Sequence, residues 1–191
     1  MAARDIRNFS PDTFAKLDAD MWVAYYNHRF FSLFVLLFKL NYTHFQPSLI
    51  LTVRGAYHSA MAAIVFRRTK GNEDSDRVLK HLVHFYKLLA THTVSTFDYR
   101  KAAELEMEWW LVDRYPDRYE ISRAAALAEG MAVIYSVPEV SLKTYGRKRA
   151  AAMELLGDYH YDKTATVDWD KLRTLLKESY GSLHAAVQER K

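Results

Sequence analysis

Cysteine is absent from this 191-residue chain. That excludes disulfides, thiol nucleophiles and the Cys-type zinc and iron–sulfur centres. It fits a reducing compartment, and a cytoplasmic location is expected. Glycine and proline are scarce, at 6 and 4 residues, so there are few natural breakpoints and long helices are favoured over many short strands. Long apolar runs are also missing. The longest, Phe30 to Phe38, falls well short of the roughly 20 residues a bilayer span needs. His28, Arg29 and Lys39 bound it, so a buried helix or an oligomer interface suits it better than membrane insertion. The first residues, Met1 to Arg7, lead into no apolar core of a signal peptide, and residues 1–9 read as a short flexible start. Gly-rich phosphate loops, Rossmann fingerprints and serine-nucleophile elbows do not occur.

Half of the residues are hydrophobic, and 14% are aromatic. That is ample for one core built on large rings, and the length fits one domain. The apolar spacing is 3.6-like along the chain, with no strand-like alternation, internal repeat or low-complexity linker. The expected fold is therefore a single all-α domain over residues 1–191, a compact bundle of about seven helices. Helix starts are marked by Ser10-Pro11, Pro47, Ser75, Ser122, Pro138 and Asp168. The first helix is expected to run from Pro11 to about Leu40. Its middle is apolar nearly all round, which points to self-association, a homo-oligomer formed through this helix.

The segment from Lys101 to Arg114 carries most of the chemical information. On a helix, Glu104 and Glu108 share an outer face with Lys101, whereas Glu106 and Asp113 fall among Tyr99, Ala102, Ala103, Trp109 and Trp110. Acids on such a stripe need a cation, a metal, a ligand or water. The same helical test places Arg54 and His58 on an apolar line of the second helix, Glu129 on a small-residue stripe, Arg149 between Tyr145 and Met153, and Arg29 between Tyr26 and Leu33. The candidate ligand-binding set is Arg54, His58, Glu106, Trp110, Asp113 and Arg149, with Arg114 and Glu129 beside it. Two readings fit these residues. Arginine pairs carboxylates bidentately and can lock helix register. The same charges can also orient a small molecule between aromatic walls. Both hold together if the network lines a cavity.

Other patterns lead to other chemistry. Glu106, Glu129, His58 and His84 are the residues from which a carboxylate- and histidine-bound metal site of a helical oxidoreductase would be built, but the paired Glu-x-x-His spacing of that class is absent. His81-x-x-His84 puts two imidazoles on one helical face. Arg77 and His84 are separated by six residues. This spacing resembles the Arg and His motif of HEPN-type helical ribonucleases, and the resemblance implies an RNA-cleaving dimer. The net charge of +4 adds little to that, and nucleic acid is not the expected partner. Lys143, Arg147 and Lys148, and likewise Arg67, Arg68 and Lys70, read as solvated basic patches. The sequence thus favours a soluble binding or interaction protein. No motif identifies an enzyme class or a cofactor.

Overall fold

The computed structural model describes residues 5–45, 48–94, 96–157 and 166–189. Among them are eight α-helices: α1 (Pro11–Tyr26), α2 (Phe30–Phe45), α3 (Leu49–Arg68), α4 (Ser75–His92), α5 (Tyr99–Arg114), α6 (Arg123–Tyr135), α7 (Lys143–Glu154) and α8 (Trp169–Gln188). Short 3-10 turns at Pro116–Arg118 and Glu139–Leu142 precede α6 and α7. No strand occurs among the described residues. Three helices begin on side-chain caps that the sequence marks. The oxygens of Ser10, Ser122 and Asp168 accept from the backbone N–H of Thr13, Ala125 and Lys171. Asp74 rather than Ser75 caps α4, and Asp98 caps α5 by accepting from Arg100 and Lys101. The expected start at Pro47 lies outside the described residues.

The long first helix is in fact two helices. The break at Asn27, His28 and Arg29 is a Schellman turn: the Arg29 N–H reaches Ala24 O at 2.8 Å and the His28 N–H reaches Tyr25 O at 3.2 Å. His28 occupies the left-handed position at φ 58°, which glycine usually fills, and the Asn27 amide donates back to Val23 O at 2.8 Å. Arg29 therefore sits exposed in the corner and not on a core stripe. The described part of the chain's start is not loose either. Ile6 and Phe9 are buried in the core, and Gln188 donates to Arg7 O at 2.8 Å.

Each helix packs against the next, and α8 returns to pack on α1, so the contacts close into a circuit. The main core joins α1 and α3 to α8, with Ala19, Phe66, Leu82, Met107, Tyr145 and Leu183 among its residues. A smaller cluster of Met21, Ala24 and Leu33 seals the α1–α2 corner. α6 and α7 approach each other closely at Gly146. A Cβ on Gly146 would lie 2.1 Å from Ala124 O, so only glycine fits there.

α3 contradicts its own hydrophobic pattern. It buries Thr52, Gly55, Ala56, Ala60 and Ala62 toward its neighbours and leaves Leu49, Ile50, Val53 and Tyr57 exposed. Phe31 and Tyr42 of α2 are exposed as well. α3 is also long and apolar enough to cross a membrane by length and composition, although here it packs between α2 and α4.

Candidate functional site

A cavity of about 650 Å³ opens among the odd-numbered helices. Its walls follow helical spacing. α1 contributes Asp18, Met21, Trp22, Tyr25 and Tyr26; α5 contributes Glu106, Trp109, Trp110, Asp113 and Arg114; α7 contributes Arg149 and Met153. Ala63, Phe66, Arg67 and Arg68 of α3 complete it with Lys70, while His28, Phe30 and Leu33 close the corner. Three of the four tryptophans of the chain thus face one space.

At one end lies a buried charge cluster. Arg149 forms an ion pair with Asp18 and donates to the Tyr180 hydroxyl, which in turn donates to Asp18 Oδ2 at 2.9 Å. The guanidinium also lies 5.3 Å from the Trp22 ring centre and 5.9 Å from that of Trp109. Burial disfavours the Arg149 charge, but Asp18 and then Tyr180 more than offset it and hold the side chain protonated. Burial likewise pushes the Tyr180 phenol well above 10, so it stays a donor to Asp18. The Arg149 Nε–H has no hydrogen-bond partner among the described residues.

Glu106 stands beside this cluster without a direct cation. Oε2 accepts from Trp109 Nε1 at 2.8 Å and from the Tyr86 hydroxyl at 3.1 Å, and Oε1 accepts from Trp110 Nε1 at 3.0 Å. A carboxylate offers about four acceptor positions, so Oε1 keeps one to spare. Burial raises the Glu106 pKa, against the three hydrogen bonds and the nearby Arg149 charge. Asp113, further along α5, is also raised by burial, and Arg123 opposes this through an ion pair at 2.7 Å.

The other end is cationic. Arg114 lies 3.4 Å from the Phe66 ring centre and donates to Phe66 O and to Glu73 Oε1, both at 2.9 Å. Burial would raise Glu73, yet hydrogen bonds from Tyr115, the Gly71 N–H and Arg114 hold its pKa down at about 2. This anchors the 69–74 turn, where Gly71 takes φ 89°. Arg67 Nη2 meets His28 Nε2 at 2.6 Å and lies over the Tyr25 ring at 4.9 Å. Neither Arg67 nor Arg68 has a carboxylate partner among the described residues.

Of the residues singled out from the sequence, Glu106, Trp110, Asp113 and Arg149 line this one cavity, and Arg114 joins them. Arg54 does not. It is exposed on α3, because the small residues rather than the large apolar ones face that helix's neighbours. His58 stands apart too, in a cluster with His81 and His84 of α4. Its Nδ1 is 3.1 Å from His81 Nδ1, and its ring stacks on His84 at 4.9 Å. Glu129 is half-buried on α6. Glu106, Glu129, His58 and His84 do not come together, and no group of three His, Cys, Asp or Glu among the described residues is arranged to hold a metal ion. Arg77 and His84 are both exposed on α4.

Asp18, Tyr86 and Tyr180 were not singled out from the sequence. Asp18 has a legible signal, since it continues the line of Ala15, Trp22 and Tyr25, but α1 also carries Asp12 and Asp20, which disguise it as one acid of a solvated face. Arg67, Arg68 and Lys70 border the cavity instead of forming a detached surface patch. Comparison with protein-family models, with curated proteins and with solved structures gives no match to this chain.

Proposed function

We propose that this protein binds a small organic molecule in the cavity between α1, α3, α5 and α7. The observation that carries this reading is the cavity itself. At about 650 Å³ it has the size of small-molecule sites, with aromatic side chains along its walls and charged groups at both ends. The Asp18–Arg149–Tyr180 cluster then has two consequences at once: it ties α1, α7 and α8 together, and it presents fixed polarity to a ligand.

Intrinsic fluorescence is a natural readout, because Trp22, Trp109 and Trp110 line the site. A small-molecule library is screened by thermal shift, and hits are titrated against tryptophan emission. Ala63→Trp, which fills the cavity from α3, abolishes the binding of true site ligands. Hits that bind this variant as well as the wild type, with no emission change, would place the working surface elsewhere.

Self-association is a second reading, supported by the exposed Phe31, Tyr42, Ile50, Val53 and Tyr57 on α2 and α3. Sedimentation at tens of micromolar protein tests it: a species larger than a monomer that Phe31→Glu and Ile50→Glu dissolve supports it, and a wild-type monomer removes it.

A further inference from the structure

Resting on the cavity reading, we infer that the ligand is a phosphate monoester of a planar heterocycle, of the nucleoside monophosphate kind, bound with its ring inward and its phosphate at the α3 end. Three observations lead there.

The first is charge sorting. Four of the eight charged residues that line the cavity are matched in ion pairs: Asp18 with Arg149, Asp113 with Arg123, and Arg114 with Glu73. What is left is divided by position. Arg67 and Arg68, without carboxylate partners among the described residues, stand at the end of α3. Glu106 stands at the opposite end, with no direct cation. A ligand with an anion at one end and hydrogen-bond donors at the other matches this division. Planar arginine forks suit phosphate oxygens in particular.

The second is the inner end. Glu106 Oε1 offers a spare acceptor position. An acceptor there complements a heterocycle edge that carries a ring N–H or amino group. A purely apolar chain would leave this acceptor unmatched, at a cost.

The third is shape. Trp22, Trp109 and Trp110 supply flat surfaces between the two ends. From Glu106 to Arg114, α5 rises about 12 Å at 1.5 Å per residue, which leaves room for a ring, a sugar and a phosphate in line.

The test is calorimetric titration of the full chain with AMP, GMP, CMP and UMP, with each parent nucleoside and with inorganic phosphate. Tryptophan emission is followed in parallel. At least one monophosphate is expected to bind about tenfold or more tightly than its nucleoside, and inorganic phosphate alone more weakly still. The double variant Arg67→Ala/Arg68→Ala removes that preference and leaves the nucleoside affinity in place. Glu106→Gln weakens nucleotide and nucleoside alike. Lys143→Ala/Arg147→Ala, an equal charge change on exposed α7 positions, has no effect. A nucleoside that binds as tightly as its monophosphate overturns the inference, as does a preference that survives the Arg67/Arg68 change. Absence of binding by all four monophosphates at millimolar concentration overturns it too. A library ligand without phosphate that Ala63→Trp excludes would sink this inference and leave the cavity reading standing.

Discussion

Glu106→Ala gives the sharpest test of how the interior polarity is organised. The change removes the common acceptor of three donors: the Trp109 and Trp110 indoles and the Tyr86 hydroxyl. An unsatisfied buried donor costs about 1–3 kcal/mol. Tyr86 is buried and takes the full cost, whereas the two indoles line the cavity and can turn to water, so they fall at the low end. Against this stands the relief of no longer burying a carboxylate. The net loss is about 2–4 kcal/mol, which in a domain of this size lowers Tm by about 5–15 °C. Glu104→Ala, on the exposed face of the same helix, shifts Tm by no more than about 2 °C. Glu106→Gln adds a pH signature. Burial holds the Glu106 pKa above its ordinary value of 4.5, so the stability contributed by this group is complete below about 4.5 and is lost as pH rises through the raised value. Glutamine does not titrate. The Tm of Glu106→Gln relative to wild type therefore climbs as pH increases from about 4.5. Thermal denaturation followed by circular dichroism at several pH values reads both effects. Equal, small shifts for positions 104 and 106, or a Gln-to-wild-type gap independent of pH, would refute this account of the α5 interior.

Arg149→Leu strands Asp18 in the core without its cation and costs about 3–5 kcal/mol, while Asp18→Asn/Arg149→Leu recovers part of it; chemical denaturation of both variants shows whether the losses couple. Gly146→Ala drives a Cβ into the Ala124 carbonyl and lowers Tm despite alanine's better helix propensity, whereas Gly181→Ala on α8, with nothing within 4 Å, leaves Tm unchanged or raises it. His58 is held down to about 4 from its usual 6.5 by burial and by the charges of His84, His81 and Arg54, so the stability it contributes is complete above about 6.5 and is lost as pH falls through 4. Across that window His58→Gln flattens the fall in Tm; an unchanged profile would mean that His58 is not a source of the acid sensitivity.

The helical class was legible because caps and apolar spacing agree along most of the chain. Ser10, Ser122 and Asp168 each cap where the sequence marks them. The inward turn of Glu106 and Asp113 was legible for the same reason, since aromatic and small residues flank them at helical intervals. Two kinds of feature escaped. The Asn27–Arg29 corner carries neither glycine nor proline; a histidine in a left-handed conformation makes the turn, and nothing in composition announces it. α3 escaped because close packing uses small residues. In its first half the large side chains Leu49, Ile50, Val53 and Tyr57 face outward, so a rule that equates apolar with buried assigned Arg54 to the wrong side.

The return of α8 onto α1 has a kinetic consequence. The hydrogen bond from Tyr180 to Asp18 spans 162 positions of sequence, and the Arg149 to Asp18 pair spans 131. Neighbouring helices can dock as soon as both exist, but these contacts wait for α7 and α8 to reach α1, and long closures are entropically slow. During synthesis, Asp18 emerges early and stays without Tyr180 until α8 has been made. Asp18, on the cavity wall, therefore gains its Tyr180 hydrogen bond only when α8 docks onto α1.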